Sequence, residues 1–503
     1  MHYDHNPRFP DNFLWGASSA AWQVEGGVLD GGRTLSTIDL NSRTKAPFAD
    51  NSIAVDHYHR FREDVRLMAE CGMKSYRFSI SWSRIIPASD GVVNEEGVAF
   101  YNDLIDELVA NGITPIVTLY HYDMPVWVDE ELGGWRTRAI VDKFAEYSRV
   151  CLERFGDRVK YWLSINEQNM QIVYGHWLGT SKGCDDWFRD QWRINHIMNL
   201  CHATAVNLCH ELVDGGKIGP VPGLVPIYPF SSDPMDQIAA MNAEEFTEKI
   251  WNDTYVYGEY SDFVKSYWER NDIDPGIEPG DEDLMKSAKI DFFAVNCYRS
   301  NTAKWAPVDA TPQEYELNSH GDESTKLKFP VVPGAYQLVY NPFVEYTAWD
   351  WEIDPVSMRY CLRYMWDHYR LPMVITENGM GVHESLGADG KIHDDYRIEF
   401  LRNTAYQIGL AIEDGCEVFG YNLWSFTDFL STGNGIAKRY GLVYVDVTDE
   451  QLRAAKDASE LALTRIPKDS YYWYSNLIRS KGQDWGNDFA RPSAGELVET
   501  AHV

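Results

Sequence analysis

The sequence predicts a closed (β/α)₈ (TIM) barrel, an α/β fold in one catalytic domain with long loop insertions. Three observations point there. Short runs that are apolar on both faces alternate with long amphipathic stretches, which is the pattern of parallel strands buried under helices. There are eight such runs. Polar residues cluster in or just past the ends of five of them, and in a barrel one rim gathers those ends.

In chain order the strands are expected at 13–18 (FLWGAS), 75–80 (SYRFSI), 114–120 (TPIVTLY), 161–166 (YWLSIN), 217–221 (KIGPV), 291–296 (DFFAVN), 372–377 (PMVITE) and 419–426 (FGYNLWSF). Helical spacing fills the gaps. From Val55 to Cys71, Tyr58, Phe61, Val65 and Met68 fall on one face and Gly72 suits the C-terminal cap. GVAFYNDLIDELVANG and RAIVDKFAEYSRVCLERFG read in the same way. An open doubly wound sheet is the competing architecture, but no GxGxxG follows the first strand. Residues 305–334 are polar and irregular, an expected excursion from the barrel whose loops would set the preference for a leaving group. The catalytic domain is expected to span 1–480, with 481–503 as a mobile tail.

A net charge of −31 over 503 residues excludes a phosphate-backbone partner and fits a protein kept apart by self-repulsion. No 18-residue apolar run predicts a membrane span, and the start MHYDHNPRFPDNFLWG does not read as a signal peptide, so a cytoplasmic enzyme is expected. The eight cysteines are scattered without a CxxC pair and read as reduced thiols. Cys201, His202, Cys209 and His210 lack ligand spacing and read as helix residues, so no metal is called. Self-association is left open.

The polar clusters are Arg77, His121, Asn166 with Glu167, Asn296, Tyr298, and Glu377 with Asn378. Glu167 and Glu377 end the fourth and seventh expected strands. Two carboxylates across a barrel mouth are the equipment for glycosidic hydrolysis: one protonates the leaving oxygen, the other attacks or stabilises the oxocarbenium-like carbon. The two need opposite tuning, and Arg77 with the Tyr298 hydroxyl is expected to hold Glu377 ionised.

FLWGASSAAWQVEGG, RFSISWSRIIP, HYDMPVWV, YWLSINEQN, VITENGMG and GYNLWSFTDF resemble, in order, the motifs of family-one glycoside hydrolases. The resemblance implies a retaining β-glycosidase that needs no cofactor, with Glu167 as acid/base and Glu377 as nucleophile. Retention implies carboxyls about 5–5.5 Å apart and a covalent glycosyl-enzyme. It also implies sugar contacts from Gln23, His121, Asn166 (to the 2-hydroxyl) and Trp424 (beneath the ring), with Arg77, Tyr298 and Asn296 flanking the nucleophile. Two positions depart from the family pattern. Gln168 stands where Pro is usual; a polar neighbour could shift the acid or touch the leaving group, and its role is left open; Tyr122 stands where Trp is frequent.

The stretch FLSTGNGIAKRYG, Phe429 to Gly441, carries no carboxylate. Members of the resembled family that cleave plain glucosides have Glu at the position of Ser431. The branch acting on sugars phosphorylated at O6 has Ser there, Lys seven residues on and Tyr nine on, the spacing of Ser431, Lys438 and Tyr440. A phosphate monoester carries about −1.5 to −2 charges. Against a carboxylate at 4 Å each like-charge pair costs about 4 kcal/mol at an effective dielectric near 20. Removing the acid and adding donors is therefore what such a substrate requires. Arg439 is expected to be structural. The small Thr432 leans toward gluco rather than galacto substrates. The expected activity is that of a 6-phospho-β-glucosidase, its substrate a phosphorylated β-glucoside; a plain β-glucosidase and a dual 6-phospho-β-glucosidase/6-phospho-β-galactosidase are the alternatives.

Overall fold

The computed structural model describes residues 5–44, 49–311, 314–315, 327–328 and 330–486. Eight strands form its centre: β1 (Leu14–Ser18), β2 (Ser75–Ser79), β3 (Thr114–Tyr120), β4 (Tyr161–Asn166), β5 (Lys217–Val221), β6 (Phe293–Asn296), β7 (Met373–Glu377) and β8 (Val418–Trp424). All pairings are parallel, in the order β5-β4-β3-β2-β1-β8-β7-β6. Each lies at or within two residues of its expected place.

The seam between β5 and β6 closes the barrel. Asp291 N donates to Ile218 O at 3.0 Å and Leu224 N to Asn296 O at 2.7 Å. Gly219 makes this approach possible, because a Cβ there would lie 2.2 Å from Phe292 O. Ile116, Leu163, Val221, Phe292, Ala294 and Val374 form one buried cluster drawn from the barrel strands.

Helices cover the outside: α1 (His57–Cys71), α2 (Glu95–Ala110), α3 (Ile140–Phe155), α4 (Trp187–Leu212), α5 (Asp281–Ser287), α6 (Pro355–Tyr369), α7 (Asp395–Glu413) and α8 (Asp469–Arg479). In α1, Phe61, Val65 and Met68 are buried as their spacing requires, and Gly72 ends the helix at φ +94°. Cys201, His202 and Cys209 are buried on α4; His202 meets Ser164 Oγ at 2.7 Å and His210 meets Asp291 at 2.9 Å. All eight cysteines are free.

Two expectations change. The described parts of 305–334 are not wholly irregular: Glu314–Tyr315 pairs with Leu327–Lys328, and Val331–Val332 joins a four-stranded sheet with Ile227–Pro229, Asn301–Lys304 and Tyr336–Val339. Residues 312–313, 316–326 and 329 lie outside the described set. The tail boundary at 481 is too early. Gly482 N caps Leu477 O at 2.8 Å, and Trp485 is buried with its ring 6.3 Å from Phe9. The rest of that expected tail, 487–503, lies outside the described residues. No helix among the described residues is long and apolar enough to cross a membrane.

Candidate active site

The cavity opens at the C-terminal ends of the strands. Of the candidate residues, Gln23, His121, Glu167, Asn296, Tyr298, Glu377, Trp424, Ser431, Lys438 and Tyr440 line it. Arg77 and Asn166 do not; both are fully buried behind it. Arg77 is an ion in the middle of β2, and its partners explain it. It donates to Glu377 Oε1 at 2.5 Å, to Asn166 Oδ1 at 2.6 Å and to Thr118 Oγ1 at 2.7 Å. Three donors of one rigid fork thus tie β7, β4 and β3 to β2. Tyr298 donates to the other oxygen of Glu377, Oε2, at 2.8 Å.

Asn296 is the register partner of Glu377 across β6 and β7, beside it as expected, but its amide turns toward the other carboxyl. It donates to Glu167 Oε1 at 3.1 Å and to Asn166 Oδ1 at 3.2 Å, while Thr376 Oγ1 donates to its side-chain Oδ1 at 2.8 Å. It therefore serves Glu167 rather than Glu377. Strand register explains this: Asn296 ends β6, beside the closing seam, and reaches back toward β4.

Glu167 sits at φ +45°, immediately after β4. Its Oε2 accepts from the Tyr122 hydroxyl. Burial, and then the charge of Glu377, push its pKa up to about 7; Tyr122, Asn296 and Arg77 oppose that rise. A carboxyl so placed still holds a proton for part of the time at neutral pH, while the other carboxyl has the Arg77 guanidinium against it. Burial, followed by the Arg77 charge, holds His121 well below the usual imidazole range, so it is neutral. Its ring lies nearly parallel to Trp424 at 5.9 Å. Gln23 donates to Leu430 O at 2.9 Å, which fixes its amide and leaves the carbonyl oxygen for a ligand.

The role left open for Gln168 is resolved by its partners. It is fully buried and points away from the cavity, donating to Asn195 Oδ1 at 2.8 Å and Asn199 Oδ1 at 2.7 Å and accepting from Tyr255 at 3.1 Å.

Ser431, Thr432, Lys438 and Tyr440 also line the cavity, with the Lys438 amine facing the Tyr440 ring. Lys438 is buried, and among the described residues no carboxylate comes within 4 Å of its amine. Aromatic faces surround it instead: Nζ lies 4.1 Å from the Trp351 ring centre, 4.9 Å from Trp349 and 5.6 Å from Tyr440. Burial, then the Arg299 charge, bring its pKa down to about 7. Three acids of the surrounding loops are engaged elsewhere. Asp428 holds Arg439 at 2.8 Å and Lys468 at 2.9 Å, Glu384 holds Arg397 and Lys468, and Asp449 accepts from the amides of Ile436 and Ala437. Arg439 is structural, as expected, since it also donates to the carbonyls of Val445 and Val447.

Sequence reading missed Arg299, Trp349 and Trp351, which come from loops with no strand or helix signal. Among the described residues the cavity is also lined by Met170, Tyr174, Trp177 and Leu178, after β4.

Residues 5–483 match the model of Glycosyl hydrolase family 1. The chain is 42% identical to the aryl-phospho-β-D-glucosidase BglC of Bacillus subtilis, covering 96% of this chain and 100% of that one. It is 35% identical to a 6-phospho-β-glucosidase of Dickeya chrysanthemi, over 95% and 99% of the two chains. Among solved structures it resembles the family 1 β-glucosidase of Thermotoga maritima, with a TM-score of 0.80 and 34% identity over 95% of this chain and 99% of that one.

Proposed function

The chain belongs to glycosyl hydrolase family 1, and we propose that it is a retaining 6-phospho-β-glucosidase working through Glu167 and Glu377. Two similar proteins carry names for hydrolysis of phosphorylated β-glucosides, and a third is a plain β-glucosidase. The observation that supports the phosphorylated substrate is Lys438, a buried amine on the cavity wall near Tyr440 with no carboxylate within 4 Å among the described residues. A buried cation without an anion is costly, and a phosphate dianion supplies what is missing.

In the first step Glu377 attacks the anomeric carbon as Glu167 gives its proton to the leaving oxygen. The C–O bond breaks and a glycosyl ester forms on Glu377. In the second step Glu167 takes a proton from water, whose oxygen attacks the same carbon and releases Glu377. Gln23, His121 and Trp424 hold the ring, and Asn166 is proposed to reach the 2-hydroxyl. Ser431, Lys438 and Tyr440 take the 6-phosphate. A phosphorylated sugar is retained behind a membrane by its charge, so the proposed site of action is the cytoplasm.

The test compares nitrophenyl β-glucoside with its 6-phosphate. A kcat/KM higher for the phosphate by about a hundredfold or more is expected. A clear preference for the plain glucoside sinks the reading.

A further inference from the structure

We propose that Tyr122 is a positioning residue for the acid/base: by donating to Glu167 Oε2 it confines the transferable proton to Oε1, and its bond strengthens as that proton leaves. The inference rests on the reading of Glu167 as acid/base.

Tyr122 and Glu167 each follow a barrel strand and each take a left-handed backbone, φ +71° and +45°. That conformation is uncommon for side chains of this size. Here it turns both side chains off their strand lines, so that they meet across the ends of β3 and β4. The carboxyl is thereby held from several sides. Tyr122 takes Oε2, Asn296 Nδ2 reaches Oε1 at 3.1 Å, and an added Cβ on Gly223, after β5, would lie only 3.1 Å from Oε1. The oxygen bonded by the phenol is engaged as an acceptor. The proton then belongs on Oε1, whose remaining lone pair still accepts from Asn296.

A hydrogen bond to a carboxylate is about twice as strong as one to a neutral acid. The Tyr122 bond therefore favours the state in which Glu167 has given its proton away, which is the direction of leaving-group departure. A Trp at this position has no hydroxyl to place there. The other ionisable groups acting on Glu167 are Glu377 and Arg77, with the Tyr298 phenol beside them, and none is altered by changing Tyr122.

The test is Tyr122→Phe, assayed on two 6-phosphoglucosides, one with an alkyl or sugar aglycone and one with dinitrophenol. Departure of the first needs a proton; departure of the second does not. We expect kcat/KM on the first to fall roughly tenfold and on the second to change less than about threefold. The descending limb of the pH profile should move up by about one unit. The ratio of the two substrates does not depend on how much protein is folded, so it remains readable if the variant is unstable. Equal losses on both substrates with an unmoved limb would show that the ring only fills space, and a downward shift would equally overturn the proposal. Glu167→Ala, assayed on the dinitrophenyl substrate with azide, checks the underlying reading. Azide rescue combined with an unaltered Tyr122→Phe ratio rejects this inference alone; no rescue rejects the acid/base assignment itself.

Discussion

Arg77 and Glu377 are 300 residues apart in the chain and 2.5 Å apart in the barrel, where the guanidinium is fully buried. Removing one member of such a pair leaves the other as an uncompensated charge. Glu377→Gln is expected to lower kcat by about 10⁴-fold or more while substrate still binds. Arg77→Met should both slow turnover and destabilise the fold, by about 3–5 kcal/mol in chemical denaturation. Unchanged turnover in Glu377→Gln would remove that residue from its role.

Ser431→Glu restores an acid to the wall beside Lys438. With one like-charge pair costing about 4 kcal/mol, kcat/KM for the phosphorylated substrate should fall about 10³-fold. The plain glucoside should lose little. Paired kinetics on the two substrates read this directly, and equal losses would count against a phosphate at this wall.

The pH dependence should differ between the two substrates. Glu167 titrates near 7 and must be protonated to act as acid, so kcat/KM for either substrate falls as pH rises through 7. Lys438 also titrates near 7 in the unliganded site. Above that pH a phosphate dianion binds only if the amine takes up a proton, so KM for the phosphorylated substrate alone should rise further. Below about 6 the phosphate itself loses charge and KM rises again. In Lys438→Met the extra dependence above 7 should vanish.

The same shift has a consequence for stability. The amine is near 7 when folded and near its ordinary 10.5 when unfolded. Between those values the unfolded chain binds the extra proton, so stability attributable to this group rises with pH from 7 to about 10.5, and at or below pH 7 its burial is fully unfavourable. Lys438→Met should therefore raise the melting temperature at pH 6 by a few degrees and lose that advantage near pH 10. Thermal scans at the two pH values measure it.

Gln168→Ala removes bonds to Asn195, Asn199 and Tyr255. A cost of about 1–3 kcal/mol in stability is expected, with the pH profile of kcat/KM unmoved, because none of these bonds reaches the cavity. A shifted descending limb would return Gln168 to the acid/base.

The barrel was legible because its signals are local. Strands buried on both faces leave a run of apolar residues whatever their neighbours are, and a polar residue at the end of such a run, as with Glu167 and Glu377, marks the rim. The spacing of Ser431, Lys438 and Tyr440 lies within one loop and needed no fold to be read. What the tertiary structure alone decided is which side chains face one another across segments far apart in the chain. Asn296 serves Glu167 because β6 closes against β5, and Gln168 turns inward because α4 supplies Asn195 and Asn199. Lys438 sits under Trp349 and Trp351, from a distant loop. Periodicity fixes which face of an element is buried, but the partner it meets depends on barrel closure and loop paths, and those in turn set the burial and charge on which proton affinity depends.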